Sequence, residues 1–334
     1  MPATPPPLPR PTLRQVAALS GVSLKTASRV LNDEPHVAAD TADRVRAAAR
    51  RLGFRRNMLA REFRTGARTA SVGLVIGDLA NPFYARVARG AERRLRAAGF
   101  QLIIASTDED PERERLLVDE MVDRRVRGIL LVTCASEHDY VDDERRLGTP
   151  VVFVDRAPDD VRADTIVLDN SGGVERAVEH LVAVGHRRIG LIGDLARLPT
   201  QRERRAGFER GMRAAGLADG AVVVDGCHDD AAAERAATAL LAAPDAPTAL
   251  IAGNNRITLG ALRALAHHEG VALVGFDDFE AAELLGISVI AHDPELMGEA
   301  AAEAVLAGRT DAVGIVQRTL ETHLVVRASS RPPA

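Results

Sequence analysis

Between Gly21 and Asn32 the chain reads GVSLKTASRVLN, in which Lys25, Ser28, Arg29 and Asn32 recur at i, i+3, i+4 and i+7. On a helix that spacing aligns four hydrogen-bond donors along one side and leaves Ala27, Val30 and Leu31 on the other. A ridge of donors suits the acceptor-rich edges of bases and the oxygens of phosphates. Lys25 is the only lysine among 43 lysines and arginines. Lysine is a movable point donor and arginine a rigid planar fork, so the two are not interchangeable at a base edge. Chance placement of a single lysine is the competing explanation.

Nothing comparable supports bond-making chemistry. The sequence contains no GxxxxGK[ST] loop, GxSxG elbow, HExxH or GxGxxG run, the arrangements that cradle phosphates, expose a nucleophile or hold zinc. The nine histidines scatter apart from the pair His267–His268, and Cys134 and Cys227 lie too far apart for a CxxC site. No enzyme activity, cofactor or metal is expected.

The ridge needs elements to hold it. Thr12, with Gln15 three residues on, starts a first helix with a capping box, and Val16 and Leu19 are expected on its inward side. Gly21 falls where a helix-turn-helix corner needs a residue tolerant of positive φ, and Val22 plugs the corner. A third helix, AADTADRVRAAARRLG, turns Val45, Ala48, Ala49 and Leu52 inward and stops at Gly53. An all-α domain over 12–56 results, preceded by a disordered, proline-rich arm at 1–11. A short helix at 57–66, capped by Asn57, is too brief to persist alone in water.

Charge separates this head from the rest. Residues 1–70 carry 13 basic and 5 acidic side chains, and the remainder 30 basic and 42 acidic. A polyanion would therefore meet the head and avoid the body. The chain has 334 residues, 46% of them apolar, enough for several cores. From Ser71 it alternates short apolar runs (SVGLVIG, FQLIIAS, RGILLVT, PVVFVD, then RIGLIG, AVVVDG, TALIAG, VALVGFDD) with charged amphipathic segments. That rhythm predicts two doubly wound α/β subdomains with parallel sheets and a cleft at the strand ends. No apolar run approaches a membrane span, the first residues lack the apolar core of a secretory signal, and two distant cysteines fit a reducing compartment. A cytoplasmic protein is expected.

In the stretches TLRQVAALSGVSLKTASRVLN, GFRRNMLAREFRTG and SVGLVIGDLANPFY, the sequence resembles the LacI/GalR family of transcription regulators, and the likeness extends to about Arg327. The resemblance implies that Ser23, Leu24, Lys25, Thr26 and Arg29 lie on a helix entering the major groove, with Leu24 and Lys25 at the positions that vary with operator sequence. Leu24 would meet a thymine methyl or pack with Ala27 and Leu31. Thr12 and Asn32 would touch phosphate, and His36 would lie in a loop that can reach DNA. In the short helix, Phe63 stands where the family usually has Leu as a minor-groove wedge. It is flanked by Arg61 and Arg64; packing against the core is the alternative. Arg56 replaces a common proline.

For the body, the resemblance implies the fold of periplasmic sugar-binding proteins, with the chain passing between subdomains near Asp169, Asp293 and Leu320. An effector-binding and dimerisation core over 70–330 would divide into an N-subdomain (about 70–169 plus 294–320) and a C-subdomain (about 170–293 plus 321–330). Phe83, Tyr84, Asp155, Arg204, Asn254 and Asp277 match effector-contacting positions, and His228 falls where many members stack an aromatic on a sugar. Structural alternatives are helix capping for Asp155 and Asp277, a surface ion pair for Arg204 and a turn for Asn254. The implied partners are a palindromic operator in double-stranded DNA, a second copy of the chain, and a small sugar-like effector, polyol or nucleoside. The implied function is allosteric repression, with induction as the favoured sign. VVRASSRPPA shows no heptad repeat, so a dimer without a coiled coil is expected. The rival readings are a ligand-binding transport receptor with a basic extension and an α/β enzyme.

Overall fold

A computed structural model describes residues 11–32, 34–54, 69–266, 268, 270–310 and 314–332. The chain forms two compact units, Met1–Ala67 and Arg68–Ala334.

In the first unit, α1 (Leu13–Ser20), α2 (Leu24–Leu31) and α3 (Ala39–Leu52) enclose a small core of Val16, Ala17, Ala27, Val30, Val45, Ala48 and Ala49. Thr12 caps α1 reciprocally: its N–H donates to Gln15 Oε1 at 2.7 Å, and its Oγ1 accepts from the Gln15 N–H at 3.4 Å. Gly21 has φ 68° and its N–H reaches the Ala17 and Ala18 carbonyls. A side chain in that left-handed conformation costs roughly 1–2 kcal/mol. Leu19 does not face inward; it is 45% exposed. The buried stripe of α1 runs through Val16, Ala17 and Ser20, with Leu13 partly covered, and Leu19 lies off it. Ser20 is tolerated inside because its Oγ donates to the Val16 carbonyl at 2.7 Å. Leu52 is only partly covered.

The second unit holds two six-stranded sheets. The first contains β1 (Ser71–Ile76), β2 (Gln101–Ser106), β3 (Ile129–Leu131), β4 (Val151–Asp155), β5 (Asp164–Leu168) and β11 (Gln317–Leu320), in the order β11-β5-β4-β3-β1-β2. The second contains β6 (Ile189–Ile192), β7 (Ala221–Val224), β8 (Ala249–Ala252), β9 (Ala272–Phe276), β10 (Ser288–Ala291) and β12 (His323–Val325), in the order β12-β10-β9-β8-β6-β7. The sheets repeat one plan, so β4 and β9 occupy equivalent places. Central strands such as β4, β8 and β9 are buried along their whole length, as expected where helices cover both faces. The helices of this unit are α4 (Pro82–Ala97), α5 (Pro111–Asp123), α6 (Asp139–Arg146), α7 (Asn170–Ala183), α8 (Pro199–Ala214), α9 (Asp230–Leu241), α10 (Asn255–Leu265), α11 (Glu280–Leu284) and α12 (Pro294–Ala307).

The chain passes between the sheets after Leu168, between Ala291 and Pro294, and between Leu320 and His323. The last passage makes one departure from parallel order, because β12 runs antiparallel to β10. Only Glu321 and Thr322 separate β11 from β12. The chain therefore enters the second sheet from the side where the other strands end. Among the described residues, no helix is long and apolar enough to cross a membrane.

Candidate DNA-reading face and effector cleft

In the first unit, α2 and its caps gather six of the expected DNA-contacting residues. Ser23 is the N-cap: its Oγ accepts from the Thr26 N–H at 3.0 Å and shares a hydrogen bond with Thr26 Oγ1 at 2.8 Å. Leu24 is 49% exposed and stands outside the head's core. Lys25 is exposed and, among the described residues, makes no hydrogen bond or ion pair. Arg29 lies back on its own loop, donating from Nη2 to the Pro35 carbonyl at 2.8 Å, with Nε 3.5 Å from Glu34. Asn32 caps the C-terminus of α2, and its Nδ2 reaches Ser28 Oγ at 3.4 Å and Glu34 Oε1 at 3.3 Å. Thr12 heads α1, and His36 sits exposed in the α2–α3 loop with φ 70°. Arg61, Phe63 and the helix expected at 57–66 lie outside the described residues.

In the second unit the chemistry collects at the carboxyl ends of the strands, beside the points where strand order reverses between β1 and β3 and between β6 and β8. Such crevices bind ligands because strand ends and helix N-termini present free polar groups there. Asp155 ends β4 with φ 66°, and Asp277 follows β9, the equivalent strand, with φ 73°. A left-handed backbone is uncommon outside glycine and is most tolerable for Asp and Asn. Both side chains are nearly buried, at 5% and 7% exposure.

Asp155 Oδ2 lies 3.5 Å from the Tyr84 hydroxyl, which accepts from Arg156 Nη2 at 3.2 Å. Arg156 is held bidentately by Glu109 at 2.7 and 2.8 Å. Burial pushes the Asp155 carboxyl upward against the pull of Arg156 and Arg204, and it pushes the Tyr84 phenol well above its ordinary range. Asp277 accepts from His292 Nε2 at 2.8 Å and from the Asn255 N–H at 3.3 Å. Burial works to raise Asp277 too, but the hydrogen bond and charge of His292, with Arg204, hold it below the usual carboxylate value.

Arg204 is no surface residue. It is buried on α8, donates to Asn170 Oδ1 at 2.9 Å and to the Gly253 carbonyl, and lies 3.8 Å over the Phe276 ring. Asn254 has two roles: its Oδ1 caps α10 through the Ile257 N–H at 2.8 Å, and its Nδ2 donates to Asp194 Oδ2 at 2.9 Å. The other Asp194 oxygen lies 2.9 Å from His228 Nδ1. That hydrogen bond raises His228, while Asp194, which burial alone would raise, is held below its ordinary value by His228. Phe83 packs edge-on to Tyr84 at 5.0 Å and to His292 at 5.5 Å. Asp155 and Asp277 cap no helix of their own, because α11 takes Phe279 as its N-cap and β4 leads on to β5. His292 thus links Phe83 with Asp277, Tyr84 touches both Phe83 and Asp155, and Asp194 links Asn254 with His228.

Among those partners, Glu109, Arg156, Asp194 and His292 are what sequence reasoning missed as site residues, whereas Asn255 is legible as standing where the resembling family usually has Asp. Arg156 and Asp194 follow apolar runs directly, in VFVDR and LIGD, the same strand-end signal that Asp155 gives. His292 follows β10, a strand without a recognised run. The sheets are also tied across the cleft. Arg256 lies 2.5 Å from Asp78, Asn255 Nδ2 donates to Asn81 Oδ1 at 2.9 Å, and Arg197 donates to the carbonyls of Glu109 at 2.6 Å and Cys134 at 3.0 Å.

Comparison with known proteins agrees with both halves. Residues 12–57 match the model for bacterial regulatory proteins of the lacI family, and residues 69–311 match that for periplasmic binding proteins and the sugar binding domain of the LacI family. The chain is 31% identical over 307 residues to the ribose operon repressor of Escherichia coli K12, covering 88% of this chain and 92% of that one. It is similar to the transcriptional regulator CelR solved with cellobiose (30% identity, TM-score 0.69, 96% and 100% covered). It also shares the fold of the lac repressor dimer bound to operator and an anti-inducer (24% identity, TM-score 0.84, 97% and 100% covered). With a donor-bearing helix-turn-helix head and a two-sheet body whose polar groups converge at the strand ends, the chain belongs to the LacI family of bacterial regulatory proteins.

Proposed function

We propose that the protein is a cytoplasmic, homodimeric repressor that reads a palindromic operator through α2 and releases it when a small polyol, sugar or nucleoside occupies the cleft. The observation carrying this reading is the exposed Lys25 on α2, unpaired among the described residues, beside half-exposed Leu24, within a head of surplus positive charge. Ser23, Thr26 and Arg29 complete the reading face, Thr12, Asn32 and His36 add backbone contacts, and Arg61 and Phe63 contact the minor groove from a hinge helix at 57–66. Phe83, Tyr84, Asp155, Arg204, His228, Asn254 and Asp277 hold the effector. The core divides into the two subdomains that the resemblance implies, about 70–169 plus 294–320 and about 170–293 plus 321–330. Opening or closing of the cleft changes the ties Arg256–Asp78 and Asn255–Asn81, and a ligand with differential affinity for the two arrangements shifts operator affinity.

Exposed apolar side chains support a second copy. Ile104 on the edge strand β2 is 42% exposed, and Leu284 and Leu285 are 86% and 60% exposed. Two adjacent exposed leucines and an apolar side chain on an edge strand suit contact with a second copy. A gel retardation assay on fragmented genomic DNA tests the reading. A discrete fragment should shift at low salt and be released by a cleft ligand. Absence of any selective shift would refute regulator function, and a shift without ligand response would refute control through the cleft.

A further inference from the structure

Arg29, on the donor side of α2, is held along one edge of its guanidinium. Nη2 donates to the Pro35 carbonyl at 2.8 Å, and Nε stands 3.5 Å from Glu34 Oε2. The Nε hydrogen and one Nη2 hydrogen lie side by side on a guanidinium, so both contacts occupy that side edge. Nη1 and the second Nη2 hydrogen form the end edge, which takes no partner among the described residues. Glu34 is fixed in its turn. Its N–H donates to the Arg29 carbonyl at 3.0 Å, and its Oε1 accepts from Asn32 Nδ2 at 3.3 Å. One acidic side chain thus touches two of the expected DNA contacts, inside a head of surplus positive charge.

We infer that Glu34 is a positioning residue for base reading: with the Pro35 carbonyl it props Arg29 by the side edge and leaves the end edge aimed outward for a base. This rests on α2 being the element that reads DNA. The planar end of an arginine matches the O6 and N7 acceptors of guanine. A long side chain that is oriented before binding loses less rotamer freedom when it binds. The side chains of Arg29 and Glu34 are 36% and 48% exposed, so their attraction adds little to folding; what the pair sets is direction. The carboxylate also opposes any phosphate that approaches Arg29 or Asn32, which weakens contacts that do not use the base. Both effects favour a matched sequence over unrelated DNA.

The test selects sites from a randomised half-site library with the full chain as parent, Glu34→Gln, Arg29→Ala and the double variant. Arg29→Ala should erase the preference at one symmetric position. Glu34→Gln should weaken the preference at that same position about fivefold and leave the others as they are. Its affinity for unrelated DNA at low salt should hold or rise, and its thermal transition should match the parent's. In the Arg29→Ala background, Glu34→Gln should alter no position further. Five results would overturn the inference: an Arg29→Ala consensus that keeps every position, a Glu34→Gln preference unchanged or sharper at the Arg29 position, a loss spread over all positions, a fall in affinity for unrelated DNA, or an effect of Glu34→Gln that survives removal of Arg29. The two failures stay apart. A parent chain that selects no sequence removes the DNA reading itself and this inference with it, whereas a selective parent matched by Glu34→Gln removes the role of Glu34 alone.

Discussion

Lys25 and His228 carry the sharpest expectations for single side chains. A flexible ammonium and a planar fork place their donors differently, so Lys25→Arg should change the preferred base at one symmetric operator position while non-specific affinity stays close to the parent's. Selection of binding sites from a randomised half-site library reads this directly, and an unaltered consensus would make the lone lysine an accident. His228 predicts a pH effect. Asp194 raises it above its ordinary value of about 6.5. The pair's stabilising contribution is therefore full below about pH 6.5 and is lost as pH rises through the raised value. Asp194, itself depressed, adds a contribution that is present at neutrality and lost as pH falls through its lowered value. His228→Gln should flatten the dependence of the body's thermal midpoint on pH from 6 upward, relative to the parent chain. A variant curve parallel to the parent's would show that the pair is not coupled to folding.

Single elements depend on their ends. The Thr12–Gln15 capping box satisfies two N–H groups at the start of α1, so Thr12→Ala should cost the head about 1 kcal/mol. Urea unfolding followed by far-ultraviolet dichroism would show it, and a loss confined to operator affinity would instead mark Thr12 as a contact only. Gly77, just after β1, illustrates a different constraint. A Cβ there would stand 2.0 Å from Glu109 Oε1. Gly77→Ala should displace Glu109 from Arg156 and so weaken ligand binding at the cleft more than it weakens the strand itself. Calorimetry beside thermal denaturation would separate the two effects.

At the scale of the molecule, surplus positive charge belongs to residues 1–70 and surplus negative charge to the rest, so the proposed phosphate contact falls to the first unit. Operator affinity should fall steeply with salt, with a log–log slope near −0.9 per phosphate neutralised. A flat response would mean that the surplus charge of residues 1–70 does not meet DNA. Placing a charge on the exposed apolar surface should split the dimer. Leu284→Arg is expected to sediment as a monomer at concentrations where the parent chain is dimeric, and to lose operator affinity because two heads no longer bind together. An unchanged sedimentation coefficient would place the dimer contact elsewhere.

Local pattern alone determined much of this protein. The capping box at Thr12, the left-handed corner at Gly21, the divided faces of α2 and eight strands are legible because each depends on neighbours within a few residues. Leu19 escaped because the eight residues of α1 offer two apolar faces, and only packing against α2 and α3 decided which was buried. The strand β11 escaped because Gln317, Arg318 and Thr319 are exposed and carry no apolar signal. The strand β12 reverses because of where β11 ends, which no local pattern encodes. In the cleft, Asp155 and Asp277 could be singled out one by one. The partnerships of Asp277 with His292 and of Asp194 with His228 and Asn254 are contacts between distant segments. Polarity at a strand end is written in the sequence; which of those polar groups meet is decided only when the sheets are in place.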